Sequence, residues 1–346
     1  MKKIRILSVD GGGIRGVLPG TILMQLEKIL QKKDNNNNRK LGDYFDMIAG
    51  TSTGGILACI YLMPDEDGKA KYSAEDAVNL YIKNGHTIFD RTTMEKILSV
   101  GGALHEKYSQ DALYNLLTEY FGDETLKNFI KPSLITSYEI TDRKSIFFTS
   151  ADAGIDDMYN FKIRDVARAT SAAPTYFTPA HIESLSGQLY TLVDGGMFAN
   201  NPALCAYAEA RKTDFAKVLK DNDKINKPTA ADMLIFSFGT GSVKKRYHYK
   251  DFKHAGAIQW LEPVIDVLMS GNSETVAYQL TQMYLTLDEQ FQKNYYRLEP
   301  GLKEACSEMD EATKENIENL YQAGLTYVHD NIDLLEEIAE KILENN

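Results

Sequence analysis

Residues 45–62, FDMIAGTSTGGILACIYL, constrain the fold of this chain more than any other stretch. Phe45 to Ala49 reads as a short apolar strand and Ile56 to Leu62 as the start of an apolar helix, with GTSTG at 50–54 between them. A strand that turns at once into a helix forces its turn residue, here Ser52, into a strained conformation. Gly50, Gly54 and Gly55 clear the room for it, and Thr51 and Thr53 complete the elbow. Such a turn holds a hydroxyl above the sheet edge, where it can attack a carbonyl. Taken alone, the same residues also allow a small-residue turn with no chemistry.

Around this elbow the chain alternates apolar, β-branched runs with helical patterns. Strands are expected at 4–10, 45–50, 133–140, 145–150, 190–194, 232–239 and 294–299, and helices at 17–32, 56–63, 74–84, 109–121, 162–172, 202–220 and 257–287. Alternation of this kind predicts a largely parallel sheet with helices on both faces. Only TDRK separates the two runs inside 133–150, so that pair reads as an antiparallel hairpin. The acidic segment from 303 to 346 carries Ile332, Leu335, Ile338 and Ile342 at helical spacing and is expected to pack on the body as an amphipathic helix. No linker stands out. Residues 1–302 read as the main domain, with 303–346 as a tail on the same body.

The first strand ends in Asp10 and runs into GGGIRG at 11–16, ahead of an apolar helix. Successive glycines let backbone amides converge on one anion-binding concavity. Gly11, Gly13 and Gly16 formally match a dinucleotide fingerprint, but the expected acidic residue at the end of the second strand is replaced by the serine elbow. A phosphate loop of the actin-like or sugar-kinase type is a second reading. The third is an oxyanion hole: Gly12 and Gly13 would donate to a carbonyl oxygen at Ser52 if the two turns lie side by side, with Arg15 adding positive charge.

A serine nucleophile needs a base. The six histidines, His86, His105, His181, His248, His254 and His329, avoid glycine-rich turns at predicted strand ends, although one of them can still be recruited from afar. Asp194 is better placed. YTLVDGGMFANNP at 190–202 reads as a strand ending in Asp194, followed by Gly195 and Gly196, with Asn201 capping a helix that begins at Pro202. An aspartate of ordinary acidity is a weak base, so this reading requires burial to raise its pKa.

DGGGIRG, GTSTG and DGG, in that order, together with SAAPTYF at 171–177 and FSFGTG at 236–241, resemble the patatin-like phospholipase family over roughly residues 4 to 300. The resemblance implies a three-layer α/β/α fold. It also implies hydrolysis of lipid acyl esters without metal or other cofactor, Ser52 as nucleophile and Asp194 as base. Gly11, Gly12, Gly13, Arg15 and Gly16 would form the oxyanion and substrate-binding loop. Membrane glycerolipids or lysolipids would be the substrates. A non-catalytic storage or interaction protein on the same fold is the other outcome to consider.

An acyl chain needs an apolar channel beside Ser52. AIQWLEPVIDVLM at 257–269 carries the sole tryptophan, Trp260, with Leu261, Val264, Ile265, Leu268 and Met269, interrupted by Glu262 and Asp266. It reads either as a core helix or as a channel wall or lid touching lipid. Tyr176, Phe177 and Met197 are further candidates for the channel mouth.

A net charge of −11, from 38 basic and 49 acidic residues, argues against nucleic acid and against long-range attraction to anionic membranes. It leaves transient membrane contact through an apolar patch open. The longest apolar run is broken by TSTGG, and no transmembrane segment is expected. Cys59, Cys205 and Cys306 are odd in number and are expected to be buried free thiols of a reducing compartment. MKKIRILSVDGGG does not read as a secretory signal, which points to a cytoplasmic location with a specialised secretion route still open. Nothing in the sequence speaks to oligomeric state.

Overall fold

The computed structural model describes residues 1–88, 110–242 and 246–345. His105 lies outside them, as do Lys244 and Lys245 and the side chains of Leu261 and Glu262. The described strands form one eight-stranded sheet. In chain order they are β1 (Ile4–Val9), β2 (Met47–Thr51), β3 (Ser133–Glu139), β4 (Lys144–Phe148), β5 (Ala180–Glu183), β6 (Leu189–Asp194), β7 (Met233–Phe238) and β8 (Tyr295–Leu298). The longer helices are α1 (Val17–Asp34), α2 (Thr53–Leu62), α3 (Ala74–Ile88), α4 (Gln110–Phe121), α5 (Ile163–Thr170), α6 (Ala203–Lys212), α7 (Ala257–Leu285), α8 (Lys314–Asp330) and α9 (Ile332–Glu344).

Strands β8, β7, β1, β2 and β3 run parallel and adjacent in that order, while β4, β5 and β6 are antiparallel additions. Alternate side chains of the central strands enter different cores, as the two-residue period of a strand requires. Leu7, Val9, Ile48, Leu234, Phe236 and Phe238 join a core built with α1–α5, α8 and α9. Ile4, Ile6, Met47, Ala49, Met233 and Ile235 join the opposite core, with residues of α6 and α7. The protein is therefore a three-layer α/β/α sandwich on a mostly parallel sheet.

Most expected elements lie within a few residues of their observed bounds, and the 133–150 hairpin is the pair β3–β4. Three differences have physical causes. β5 was not expected, because four residues with alternating burial at the sheet's rim give too short a signal. The helix expected over 202–220 breaks at Thr213, which is extended, and Asp214 then caps a separate short helix, Phe215–Leu219, by accepting from the Lys217 amide at 3.1 Å. In α9 the buried face is Leu335, Ile338, Ala339 and Ile342, whereas Ile332 at the start of the helix is exposed. Two of the three free cysteines also differ in burial from expectation. Cys59 is buried, Cys205 is half-buried and Cys306 is exposed.

A charge cluster sits at the amino end of the parallel strands, opposite the end where their turns emerge. Asp46 is fully enclosed and accepts from Arg5 Nε at 2.9 Å, Arg5 Nη2 at 2.8 Å and Lys224 Nζ at 2.8 Å. Arg5 and Lys224 also donate to the carbonyls of Ile342 and Asn345 at the end of α9, which ties the tail to β1. Burial alone would raise the Asp46 pKa, but hydrogen bonds and charge from Arg5 and Lys224 outweigh it and hold the carboxyl below its usual range. Asp46→Asn leaves two buried cations without their anion and is expected to cost about 3–5 kcal/mol of unfolding free energy at pH 7. Because the folded-state pKa is depressed, the contribution is present above about pH 4 and fades as pH falls below that. Urea titrations of both proteins at pH 7 and near pH 3 check this, with the gap expected to narrow at the lower pH.

Candidate active site

The strand register brings the elbow and the aspartate together. β4 occupies one edge of β3 from Ile135 to Glu139. On the other edge β2 pairs as far as Thr51 opposite Thr136, and β6, running the opposite way, pairs from Asp194 opposite Ser137. The carboxyl ends of β2 and β6 thus meet head-on along one edge, and each must turn out of the sheet. Asp194 stands at a strand's carboxyl end as expected, but that strand is antiparallel to β2.

Ser52 makes its turn at φ 54° and ψ −122°, a backbone conformation that L-residues rarely adopt and that stores strain. Its amide donates to Thr170 Oγ1 at 2.9 Å, which fixes the turn from α5. Gly54 permits the close crossing of α2 over β1, since a Cβ there would lie 2.1 Å from the Val9 carbonyl oxygen. Thr51 shares a 2.7 Å hydrogen bond with Thr136 and donates to the Ala199 carbonyl, while Thr53 donates to the Tyr81 hydroxyl. Both elbow threonines therefore hold the turn from beneath.

Ser52 Oγ donates to Asp194 Oδ2 at 2.6 Å, and Asp194 Oδ1 accepts the Gly196 amide at 2.7 Å. Both side chains are buried, at 6% and 3% exposure. Burial raises the Asp194 pKa to about 6, against the opposing hydrogen bonds from Ser52 and Gly196. Gly195 lies tight against Thr136 in the turn that follows. Asn201 Oδ1 accepts from the Ala203 amide at 3.0 Å, but α6 starts one residue later than expected, which puts Pro202 and not Asn201 in the capping position.

β1 and β2 pair in parallel with Val9 opposite Gly50, which sets the glycine loop beside the elbow. The Gly11 amide donates to the Asn200 carbonyl and the Ile14 amide to the Met309 carbonyl. Thr240 Oγ1 donates to the Gly11 carbonyl at 2.8 Å. The amides of Gly12 and Gly13, between these anchors, have no acceptor among the described residues. Gly13 adopts φ 60°, and a Cβ on it would lie 2.2 Å from the Met309 oxygen. Gly16 packs against Thr53. Arg15 is buried and its Nε donates to the Gly12 carbonyl at 3.3 Å, but its side chain lines a second, polar cavity and not the one that holds Ser52.

The Ser52 cavity is apolar and has about 730 Å³ of empty space, its open mouth included. Tyr176, Phe177, Met197, Ile265 and Met269 line it as expected. Ile56, Leu80, Tyr81, Ile88, Leu113 and Met309 line it too, and no pattern in the sequence singled them out. The 257–269 stretch of α7 thus walls the cavity, while Val276, Leu280 and Tyr284 farther along the same helix pack in the core. Ile265 and Met269 face the cavity, while Trp260, Val264 and Leu268 on its other side are each more than 40% exposed. The five described histidines are exposed and none lines this cavity. Thr170, Asn200 and Thr240 were also missed as site residues. The signals were faint: Thr170 directly precedes SAAPTYF, Asn200 follows the Asp-Gly-Gly turn, and Thr240 lies inside FSFGTG.

Raising an acid's pKa on folding makes its charged form destabilising. Between about pH 4 and pH 6 the native protein binds more protons at Asp194 than the unfolded chain does, so this site's contribution to stability declines as pH rises through that window. Asp194→Asn is therefore expected to stabilise the fold at pH 7 by on the order of 2 kcal/mol, with no gain below pH 4. Thermal melts of the two proteins across this range test the sign and the window.

Residues 7–207 match the family described as patatin-like phospholipase. Similar proteins include Patatin-like protein 1 of Arabidopsis thaliana, 35% identical over 98% of this chain and 86% of its own length. Patatin-like protein 2 of Oryza sativa subsp. indica is 33% identical over 97% and 86%. Patatin group D-2 of Solanum tuberosum is 33% identical over 93% and 82%. The solved structure of VipD from Legionella pneumophila is only loosely similar, at 14% identity and a TM-score of 0.34 over 94% of this chain and 67% of its own. With the family match covering more than half of the sequence, and relatives above 30% identity spanning nearly all of it, the chain belongs to the patatin-like phospholipase family.

Proposed function

We propose that this protein cleaves fatty acyl esters of glycerolipids, a phospholipase A-type reaction, with Ser52 as nucleophile and Asp194 as its base. Family membership supports lipid acyl hydrolysis in general. The finer reading is carried by one observation, the 2.6 Å hydrogen bond from Ser52 Oγ to a buried carboxylate. A direct contact lets the carboxylate accept the hydroxyl proton with no relay, and a pKa of about 6 makes Asp194 a serviceable base near neutral pH.

In the proposed sequence the acyl chain occupies the apolar cavity and the ester carbonyl lies over Ser52. Oγ attacks the carbonyl carbon as Asp194 takes its proton. The carbonyl oxygen, now negative, is held by the free amides of Gly12 and Gly13, aided by the positive end of α2. Arg15 supports the loop by donating to the Gly12 carbonyl. The tetrahedral intermediate collapses to an acyl-enzyme as Asp194 returns the proton to the departing alcohol oxygen. Water then attacks the acyl carbon and loses a proton to Asp194, which passes it to Ser52 Oγ as the acyl–oxygen bond breaks and the fatty acid leaves. No described helix is long and apolar enough to cross a membrane, so in this reading the substrate is met at the lipid surface. We place the activity in the cytoplasm.

Ser52→Ala and Asp194→Asn are each expected to lower kcat/KM on a short-chain p-nitrophenyl ester by roughly a thousandfold or more with the fold intact. A fluorophosphonate probe should label the wild type and not Ser52→Ala. The kcat/KM profile should climb with pH, pass half its plateau near pH 6, and stay flat above, because the base must be ionised. Full activity in Asp194→Asn, or a profile flat down to pH 4, would remove Asp194 from the mechanism.

A further inference from the structure

Behind the glycine loop lies a second cavity of about 880 Å³, open mouth included, that shares Met269 and Met309 with the apolar one. Its chemistry is different. Arg297 is spent inside the protein: it grips both oxygens of Asp10, at 2.9 and 2.7 Å, and also bonds Ser237 and Glu299. Two other polar groups are not spent. Arg15, 6% exposed, has Nη1 buried with no partner among the described residues, and Asn200, also 6% exposed, has Oδ1 in the same condition. Buried donors and acceptors left unpaired cost stability, so a guanidinium and an amide that both line this cavity, each with a polar atom unpaired among the described residues, mark it as a place for a ligand. The rim carries Asp266, half-buried, and Glu274, exposed, both on α7.

The cavity wall thus holds a buried cation, Arg15, a neutral amide, Asn200, and two carboxylates outside the Arg297 cluster, Asp266 and Glu274. A guanidinium fits phosphate oxygens, and the rim carboxylates fit an ammonium group. The neighbouring site holds the ester, so a ligand reaching both cavities has an acyl chain on one side and a polar alcohol on the other. We propose that this cavity takes the leaving alcohol of the substrate, with Arg15 on a phosphodiester, Asn200 on a glycerol hydroxyl, and Asp266 and Glu274 on a cationic amine. Zwitterionic glycerophospholipids are thereby preferred over anionic ones. The inference deepens the hydrolase reading and rests on it for the position of the ester.

Binding and turnover separate the two. Ser52→Ala full-length protein is titrated calorimetrically with glycerophosphocholine and with glycerophosphoglycerol, which has the same phosphodiester and no amine. Glycerophosphocholine should bind about fivefold more tightly. Asp266→Asn with Glu274→Gln should erase the difference, and Arg15→Gln should weaken both ligands. Wild-type kcat/KM on phosphatidylcholine and phosphatidylglycerol of identical chains, in neutral detergent micelles, should show the same order. Equal affinities, a difference that survives the double substitution, or no binding to protein that melts as a folded species would overturn the proposal. Binding without any ester cleavage by the wild type would leave the head-group site standing and sink the hydrolase reading. Ser52-dependent cleavage without head-group discrimination would do the reverse.

Discussion

The structure depends on two strands that end against each other on one edge of β3. β2 climbs to Thr51 and β6 descends to Asp194, and the next position for each is already occupied by the other. A strand whose path is blocked must leave the sheet, and both do so through glycine-flanked turns. That collision explains the left-handed turn at Ser52, the tight packing of Gly195 on Thr136, and the 2.6 Å contact between hydroxyl and carboxylate. This hydroxyl–carboxylate contact follows from sheet register, which is set by hydrophobic burial on both faces and is hard to slip.

Two aspartates show how the same side chain is tuned in opposite directions. Asp46 and Asp194 are both enclosed, so desolvation pushes both pKa values upward. Asp46 faces Arg5 and Lys224 and ends below the ordinary range, a charge anchored for structure. Among the described residues Asp194 has only a hydroxyl and an amide to accept from, so burial prevails and its pKa is raised to about 6. The fold bears the destabilisation of an underpaired carboxylate where the proposed reaction uses a base, and supplies two cations where it needs a rivet.

The last third of the chain contributes more to the site than packing. The Met309 carbonyl holds the Ile14 amide, Thr240 holds the Gly11 carbonyl, and Arg297 on β8 clamps Asp10 at the foot of the glycine loop. α7 divides its surface among an apolar wall, a polar rim and an exposed strip. The segment expected to serve only as a tail thus supplies Met309 to both cavities and to the loop that lies between them.

Reading residues in order was enough for the three turns, because each has a local cause: glycines where backbone crowds backbone, and a polar residue where a buried apolar strand stops. It was enough too for most helices and strands, whose apolar periods report which face is buried. It could not reveal that β6 runs against β2, since the direction of a strand is a matter of pairing and leaves no trace in its own composition. Nor could it place Arg15 behind the loop, pick Thr170 as the acceptor for the Ser52 amide, or tell the wall face of α7 from its exposed face. Those outcomes depend on which distant side chains arrive at the same point, and on how much water they displace when they do. The raised pKa of Asp194 is of this second kind, because it comes from the enclosure that the whole fold builds around the carboxyl group.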